Sequence, residues 1–335
     1  MSALGWGIMA TGGIAEAFAA DLRLDGRRLA AVGSRTAAKA EQFAKRHGAE
    51  RAHGSYESLV SDPAVDIVYV ATPHTHHLEG ALAAIAAGKS VLVEKPLTVN
   101  AAEARALAAA AAAAGVSAME AMWTRFLPHM VRLRQMIAEG ELGELRGLTV
   151  DHTQKLPDDP HHRINDLALG GGALLDLGVY PIAFAQDIFG PPASVRVKSA
   201  SFGPTGVDKA VTGEFTYASG ATALWVTASD SAGPNVAAVL GSKAQAHLDG
   251  VWYTPTELQL AATDGAVLEV FDGRTPGRGM QFQARELERL VERGLPTSEI
   301  MPLADSIQTL AIMDQIRAEI GVRYAADGPV GRDPR

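Results

Sequence analysis

The sequence predicts an α/β protein in two parts, a doubly wound parallel sheet followed by an α+β part with a mostly antiparallel sheet. In residues 1–121, short apolar runs alternate with helical stretches, which is typical of a parallel sheet covered by helices on both faces. After residue 121, strand-like runs follow one another across short turns such as Ser219-Gly220, which favours antiparallel pairing. The length of 335 residues, at ~100–200 residues per domain, suggests about two domains. We therefore expect domains over residues 1–121 and 122–335.

Strands and helices alternate along the first part. The strands are expected over residues 4–9, 28–33, 67–70 and 90–93. The helices are expected over residues 14–22, 37–47, 78–87 and 101–114. Gly88 and Gly115 follow the last two helices, and glycine commonly ends a helix.

The second part has predicted helices at both ends and strands between them. The helices are expected over residues 127–138, 173–189, 281–293 and 304–320. The strands are expected over residues 194–202, 211–217, 222–228, 236–240, 245–248, 257–261 and 267–271. Because short turns join most of these strands, the sheet is expected to be mostly antiparallel.

Composition excludes several classes of function. The chain has no cysteine, which excludes cysteine-ligated zinc, iron–sulfur clusters, thiol catalysis and disulfides. A formal net charge of −8 argues against a nucleic-acid partner, which calls for a basic surface. No run approaches the roughly 18 uninterrupted apolar residues of a membrane span, and the N-terminus lacks the pattern of a secretory signal. We expect no membrane partner and a cytoplasmic location.

A glycine-containing loop joins the first strand to the first helix. It matches a dinucleotide-binding fingerprint in which Gly12 lets the backbone approach a pyrophosphate and the helix N-terminus donates free N–H groups. Ala15 replaces the third glycine of that fingerprint, where a small residue suffices, and Ala10 replaces the first glycine. A simple glycine turn is the alternative. The candidate cofactor residues are Ala10, Thr11, Gly12, Gly13 and Ile14.

The end of the second strand bears on which dinucleotide would bind. An NAD site places Asp or Glu about 20 residues beyond the loop, to hold the ribose hydroxyls. Here Ser34 and Arg35 occupy that place, with Lys39 one helical turn later and no carboxylate between residues 29 and 39. Arginine and serine can bind a 2′-phosphate, so we expect NADP(H) rather than NAD(H). The alternative is that these residues bind no cofactor and simply form the solvent-exposed start of a helix.

Two further motifs, residues 71–77 and residues 94–97, each follow a predicted parallel strand. They lie at the edge where such sheets bind ligands. Three histidines lie in the first motif, but His76 and His77 are adjacent and point in different directions, so we expect no metal site. In the second motif, Lys95 can reach the cleft, or it is a surface lysine in a turn that Pro96 fixes. The residues singled out at this edge are Ala71, Thr72, Pro73, His74, His77, Glu94 and Lys95.

A carboxylate and a phenol lie four residues apart in an otherwise apolar helix. Asp176 and Tyr180 therefore share one helix face, and their polar groups need polar partners in the folded protein. Equally, Tyr180 can pack with its hydroxyl at the rim, and Asp176 can sit near a helix N-terminus. Residue spacing leaves both readings open.

Taken together, these motifs resemble the glucose–fructose oxidoreductase, inositol dehydrogenase and rhizopine catabolism family, written Gfo/Idh/MocA. The resemblance rests on the phosphate loop, Ala71-Thr72-Pro73, Glu94-Lys95-Pro96 and Asp176-x-Gly178-x-Tyr180, and it spans nearly the whole chain. The segment over residues 119–128 is similar to the branch that holds dimeric trans-1,2-dihydrobenzene-1,2-diol dehydrogenase and NADP-dependent D-xylose 1-dehydrogenase.

This resemblance implies a Rossmann domain and a second domain with a large open antiparallel sheet. Members often pair through the outer face of that sheet, so a homodimer or a dimer of dimers is expected. Lys95 and Tyr180 would be catalytic with Asp176 beside them, while Trp123 and Arg125 would lie near the nicotinamide. The implied substrate-binding residues are Lys95, Trp123, Asp176 and Tyr180. His77 matches the family's usual histidine, and His74 stands where many members have asparagine.

The expected activity is hydride transfer between NADP(H) and a hydroxyl or carbonyl of a sugar or diol. Tyr180 would exchange the proton, and Lys95 would lower the pKa of Tyr180 and bind the substrate oxygen. Asp176 would orient Lys95 or hold an adjacent substrate hydroxyl. The alternatives are a keto-sugar reductase and a non-catalytic NADP sensor on the same fold, although a sensor needs no proton carrier. Pocket residues are expected around Trp123, in residues 152–163 and in later strands, with residues 158–163 favoured as a polar loop.

Overall fold

The computed structural model describes residues 4–328, and within that range the chain forms two sheets. The first sheet has six strands in the order β3-β2-β1-β4-β5-β6, and every neighbouring pair is parallel. This is the doubly wound Rossmann order, so the predicted fold of the first part is confirmed. The strands are β1 (Trp6–Met9), β2 (Leu29–Gly33), β3 (Arg51–His53), β4 (Ile67–Val70), β5 (Ser90–Glu94) and β6 (Ala118–Ala121).

Helices cover both faces of this sheet, because the central strands are buried and apolar on both sides. The helices are α1 (Gly13–Leu24), α2 (Ala37–His47), α3 (Tyr56–Val60), α4 (His77–Ala86) and α5 (Ala101–Ala114). Strand order reverses at β1, which has β2 on one side and β4 on the other. In such sheets the crevice at the reversal point, beyond the carboxyl ends of the strands, is where ligands bind.

The second sheet has eight strands in the order β14-β13-β12-β11-β7-β10-β9-β8. Its pairs are antiparallel except for β7 with β10, so the prediction of a mostly antiparallel sheet is also confirmed. The strands are β7 (Leu145–Thr153), β8 (Ser194–Phe202), β9 (Asp208–Thr216), β10 (Thr222–Ala228), β11 (Ala237–Gly241), β12 (Ala244–Leu248), β13 (Glu257–Ala262) and β14 (Val267–Asp272).

Helices pack on one side of the second sheet and at its junction with the first. They are α6 (Pro128–Ala138), α7 (Val179–Phe189), α8 (Gln281–Arg293) and α9 (Leu303–Ile320). A π-helical turn, Leu174–Gly178, leads into α7 and carries Asp176. Among the described residues, the stretch Leu167–Phe189 is apolar and long enough to cross a membrane, but 83% of it is buried, as in a core helix.

Three strands are present that the sequence did not predict: β3, β6 and β7. Strand β3 has three residues at the sheet edge, and β6 is built from small, acidic and sulfur-containing side chains. In strand β7 the buried Leu148, Val150 and His152 alternate with the exposed Thr149 and the half-buried Asp151, which is a strand pattern. It lies at the centre of its sheet although its partners β10 and β11 come more than 70 and more than 80 residues later in the chain.

Polar contacts join α1 and β1 to α8 and to the segment that leads into it. The indole Nε1 of Trp6 donates to Glu288 across 2.8 Å. The buried carboxylate of Asp21 accepts the backbone N–H groups of Arg278 and Met280 at 3.0 and 2.9 Å. These bonds fix the segment around Arg278 against the first part of the chain.

Candidate active site

The loop after β1 leaves open space at the N-terminus of α1. A Cβ atom added at Gly12 or Gly13 would meet no protein atom within 4 Å. Gly12 has an extended backbone and directly precedes the helix, whose first N–H groups lack intrahelical partners. Space for a close approach and free donors are the two features that a dinucleotide pyrophosphate needs, so these residues fit the predicted cofactor.

Ala10 is the unusual residue of this loop. Its φ of 87° lies in the left-handed region, where glycine is the ordinary residue. Its backbone N–H donates to the carbonyl of Gly33 across 2.9 Å, which ties the loop to the end of β2. The loop therefore keeps the backbone shape of the glycine fingerprint although alanine replaces the first glycine.

Basic side chains follow β2, as the sequence predicts. Ser34 is buried, whereas Arg35 and Lys39 are exposed. Within residues 4–328, neither basic side chain forms an ion pair. Two exposed cations beside the dinucleotide loop fit a phosphorylated ribose.

The ends of β4 and β5 are tied together by His77. Its ring nitrogens face the carbonyl oxygens of Pro96 at 2.8 Å and Thr72 at 3.0 Å, and its side chain is fully buried. Burial lowers the pKa of His77 to about 3, so the ring is neutral and donates to only one of these carbonyls. The structure gives His77 no exposed surface for a ligand, and its contacts position the two strand ends. The Thr72 hydroxyl beside it is buried and has no partner among the described residues.

Lys95 and Asp176 form the centre of the site. The Lys95 ammonium donates to Asp176 Oδ1 at 2.9 Å and to the Asp176 carbonyl at 2.7 Å. The other carboxylate oxygen accepts from Arg163 at 3.0 Å, and His74 Nε2 lies 3.4 Å from Oδ1. Burial alone would raise the pKa of Asp176, but Lys95, His74 and Arg163 outweigh it and hold that pKa well below its usual value. Asp176 is therefore an ionised anchor for Lys95.

Tyr180 lies beside this pair. Its hydroxyl accepts a hydrogen bond from Trp123 Nε1 at 2.9 Å, and the Lys95 ammonium is 5.1 Å from the centre of its ring. Burial raises the pKa of Tyr180, and Lys95 only partly opposes that effect. Lys95 lowers this pKa as expected, but the net shift is upward, because a phenol that is 7% exposed loses more from desolvation than the ammonium restores.

Glu94 lies behind the site at the end of β5. It accepts a hydrogen bond from the Tyr69 hydroxyl and another from the backbone N–H of Lys95, the latter at 3.2 Å. Burial raises the pKa of Glu94 to about 7. The Lys95–Pro96 peptide bond is cis. Glu94 is thus a support for the lysine and its turn.

The Arg125 side chain is buried and binds other residues of the chain. It is 3% exposed and donates to Asp305 at 2.7 Å and to the carbonyl of Ile300 at 3.1 Å. Asp187 lies 3.8 Å from its Nε. The structure brings Trp123 to Tyr180, whereas the neighbouring Arg125 is itself buried and paired with acidic residues of the chain, so its charge is not presented to a ligand.

The sequence did not single out several side chains around Tyr180. The His152 ring stacks on Tyr253 at 3.8 Å and lies 4.8 Å from the Tyr180 ring. Gln154 contacts His152 Nε2 at 2.8 Å and donates to the Tyr253 hydroxyl at 3.1 Å. Burial lowers the pKa of His152 to about 3, so this ring is neutral. Residues 152–163 were expected to line the pocket only as a segment, because β7 was not recognised.

Two basic residues complete the pocket. Arg163, expected in a polar loop, binds Asp176 instead. The exposed guanidinium of Arg278 lies over the Trp123 ring, 5.4 Å from its centre. No sequence signal connects either residue to its partner. Charged groups from both parts of the chain therefore surround one cleft.

Models of known families match both parts of the chain. The oxidoreductase family with the NAD-binding Rossmann fold matches residues 4–122. The GFO/IDH/MocA C-terminal domain matches residues 130–247. Together they cover most of the chain.

Curated relatives and solved structures agree with these matches. The chain is 35% identical to the trans-1,2-dihydrobenzene-1,2-diol dehydrogenase of Bos taurus, over 97% of this chain and 99% of that protein. The human protein of the same name is also 35% identical, over the same shares. Aldose-aldose oxidoreductase from Caulobacter crescentus is 27% identical, with a TM-score of 0.85 and coverage of 96% and 98%. A 3-ketoreductase from Actinomadura kijaniata, in complex with NADP and TDP-benzene, is 27% identical, with a TM-score of 0.83 and coverage of 95% and 98%.

Proposed function

This chain belongs to the Gfo/Idh/MocA family of oxidoreductases, and from that premise we propose that it transfers a hydride between NADP(H) and a hydroxyl-bearing carbon of a sugar or diol. The relatives have in common that they are enzymes acting on CH–OH groups with NAD(P). The proposal adds a preferred cofactor, a direction of proton movement and a role for each residue. We also propose that residues 1–121 bind the cofactor and residues 122–335 bind the substrate.

One observation carries this proposal. The ammonium of Lys95, at the end of β5, and the phenol of Tyr180, in the first turn of α7, converge on one cleft with 5.1 Å between the ammonium and the ring centre. The open loop at Gly12 lies at the same edge of the first sheet. A proton carrier and a cation at the end of a dinucleotide crevice are the groups that alcohol oxidation needs.

The roles of the residues follow from their hydrogen bonds. A bound nicotinamide supplies the carbon that accepts or donates the hydride. Tyr180 accepts the hydroxyl proton in oxidation, and Trp123 Nε1 stabilises the phenolate that results. Lys95 binds the substrate oxygen and stabilises its developing negative charge. Asp176 is a positioning residue, because Lys95 and Arg163 already occupy both of its carboxylate oxygens.

Reduction of a keto-sugar is the second candidate, and one observation favours it. Burial raises the pKa of Tyr180, so the phenol is protonated at neutral pH and ready to donate. Its oxygen accepts from Trp123, which leaves its own proton free for a carbonyl oxygen. The non-catalytic alternative has no comparable support, because a sensor needs neither Lys95 nor Tyr180.

NADP(H) is the proposed cofactor because exposed Arg35 and Lys39 follow β2, where an NAD site has a carboxylate. Ser34 is the third residue of this phosphate site. The 3-ketoreductase from Actinomadura kijaniata, whose structure contains NADP, supports the choice at 27% identity.

For the assembly, we propose a homodimer or a dimer of dimers in the cytoplasm. The second sheet packs helices on one side, while its other side exposes Leu224 and Val226 on β10 and Leu240 on β11. Apolar side chains on an uncovered sheet face are typical of a surface that pairs with a second copy.

The decisive experiment is a rate assay with pentoses, hexoses, diols and keto-sugars, each measured with NADP(H) and NAD(H). We expect turnover in at least one class with NADP(H). Tyr180→Phe should then lower kcat by roughly 10²–10⁴-fold while the Kd for NADPH, measured by fluorescence, stays within about twofold. A Phe variant with an unchanged pH–rate profile would remove Tyr180 from the mechanism, and a strong NAD preference would contradict the role of Arg35.

A further inference from the structure

Arg278 is an exposed arginine that lies beside Trp123 in the candidate site. Its guanidinium lies 5.4 Å from the centre of the Trp123 ring, and Trp123 in turn donates to Tyr180. Among the described residues the Arg278 side chain forms neither an ion pair nor a hydrogen bond; only its backbone N–H is bound, by Asp21. Arg274, four residues earlier, pairs instead with Asp272 and Glu257. Arg278 thus places a free cation two contacts away from the reacting hydroxyl.

The backbone around Arg278 is held firmly. Asp21, 3% exposed, accepts the N–H groups of both Arg278 and Met280, so helix α1 holds the segment in place. The Arg278 side chain packs over the Trp123 ring, and this contact restricts its rotamers. A guanidinium held in this way is pre-organised for a planar anion, because less conformational freedom is lost on binding.

The charges of the pocket point to the same ligand. Three cations surround the cleft: Lys95, Arg163 and Arg278. One ionised carboxylate, Asp176, is shared by the first two. Glu94 is buried against Tyr69, and Asp21 is turned to the backbone. Of these cations, Arg278 is the one without a carboxylate partner among the described residues, so its charge is available to an anionic small molecule.

From this arrangement we propose that Arg278 binds a carboxylate or phosphate group of the substrate, so that the preferred substrate is an acidic or phosphorylated sugar rather than a neutral one. This inference rests on the proposed dehydrogenase function and narrows its substrate class. The anionic group lies on the Trp123 side of the pocket, a few bonds from the carbon that loses or gains hydride. Two N–H groups of the planar guanidinium face it as a fork.

The test compares three sugars that share one ring: D-glucose, D-glucuronate and D-glucose 6-phosphate. Each is assayed for oxidation with NADP, and each is titrated into the NADPH complex with cofactor fluorescence as a readout that needs no turnover. The wild type should prefer at least one anionic sugar over glucose by tenfold or more. Arg278→Gln should lower kcat/KM or affinity for that sugar by about 10–100-fold and leave glucose within twofold, as expected for a charged hydrogen bond.

Two further variants separate charge from shape. Arg278→Lys keeps the charge and loses the fork, so it should retain part of the preference. Arg274→Gln removes a nearby exposed cation that is already paired and should change nothing. Raising the salt concentration should weaken binding of the anionic sugar and leave that of glucose unchanged.

Three results would overturn the inference. Equal kinetics or affinity for glucose and both acids in the wild type would show that no anion is recognised. An equal loss for glucose and for the acids in Arg278→Gln would make the arginine a structural residue. A raised Kd for NADPH alone in that variant would assign it to the cofactor. If none of these three sugars is oxidised, the wider panel of pentoses, diols and keto-sugars decides the dehydrogenase proposal, and the fluorescence titration separately decides whether Arg278 selects anions.

Discussion

Trp123 donates a hydrogen bond from its indole Nε1 to the hydroxyl oxygen of Tyr180 across 2.9 Å. The bond occupies a lone pair of the phenol and leaves the phenolic proton pointing elsewhere. It also favours the phenolate, because an N–H donor stabilises an anionic acceptor more than a neutral one. The same contact thus serves both directions of the proposed reaction, and it can be tested without touching Tyr180 itself.

Trp123→Phe keeps the aromatic surface and removes this donor. Since the bond lowers the pKa of Tyr180, its loss should raise that pKa further. In the oxidation direction kcat should fall by about 10–100-fold, and the rise of kcat with pH should move to higher pH. The control is Trp225→Phe, a buried tryptophan whose Nε1 has no partner among the described residues. A pH profile that moves equally in both variants would contradict the role of Trp123.

Asp176→Asn removes the negative charge that holds Lys95 and Arg163. Breaking a buried ion pair costs about 3–5 kcal/mol of unfolding free energy, and Lys95 and Asp176 are 13% and 3% exposed. Burial then lowers the pKa of Lys95 without Asp176 to oppose it, so kcat/KM should fall as well. Arg163, the half-exposed partner of Asp176, offers the matched control. Arg163→Gln should lower the unfolding free energy by about 1 kcal/mol or less.

The stability loss in Asp176→Asn should depend on pH in a set direction. The pKa of Asp176 lies well below its unfolded value of 3.8, so its contribution is fully present above that pH and disappears as the pH falls through the folded pKa. Urea titrations should therefore show a constant gap between wild type and variant at neutral pH that narrows below about pH 4. A gap that stays constant down to pH 2 would mean that the lost stability is not electrostatic.

Glu94 predicts the opposite dependence. Burial raises its pKa from 4.5 to about 7, so the folded state favours the protonated carboxyl. Its contribution is fully present below pH 4.5 and is lost as the pH rises through about 7, by about 3 kcal/mol. The unfolding free energy of the wild type should fall by that amount relative to Glu94→Gln over this range. Parallel curves for the two proteins would rule this out. Tyr69→Phe removes a hydrogen bond that lowers the pKa of Glu94. The pKa of Glu94 should therefore rise further, and the fall in unfolding free energy should extend to higher pH.

The sequence predicts β1, β2, β4 and β5 of the first sheet, and the long helices between them, because the signals for these elements are local. Gly12 opens α1, Gly115 ends α5, and buried apolar runs form the central strands. The spacing of Asp176 and Tyr180 predicts one shared face, although the first residue lies in a π-helical turn and the second in α7. Both side chains contact Lys95, a convergence that the family resemblance implied and that the spacing alone left open.

The remaining features depend on contacts between distant residues. Arg125 follows Trp123 and resembles a ligand-binding arginine in the sequence, but its acidic partners Asp187 and Asp305 come 62 and 180 residues later. Arg278 and Trp123 are 155 residues apart in the chain, and Asp21, more distant still, binds the backbone of the segment that carries Arg278. The sign of the Tyr180 pKa shift depends on burial, which no local pattern reveals.

Cofactor choice can be tested at Arg35. Removing its charge by Arg35→Ala should raise the Kd for NADPH by about 10–100-fold, because a charged hydrogen bond to the 2′-phosphate is lost, and leave the Kd for NADH within twofold. Fluorescence titrations at two salt concentrations measure both values. Lys45→Ala, near the other end of α2, is the control and should have no effect. Equal losses for NADPH and NADH would show that Arg35 contacts a part that both cofactors share.

Ala10→Gly tests the loop itself. The φ of 87° at Ala10 strains an L-residue by about 1–2 kcal/mol, whereas glycine adopts it freely. Glycine also adds about 0.4–1 kcal/mol of unfolded-state entropy, so a net gain of about 0.5–1 kcal/mol is expected in urea titrations. Ala31→Gly, in regular strand β2, should lose stability instead. Because the loop already has the glycine-type backbone, the Kd for NADPH should stay within about twofold of wild type. If the glycine variant bound NADPH at least fivefold more tightly, the methyl group of Ala10 would be obstructing the dinucleotide, and the role of this residue would be steric rather than conformational.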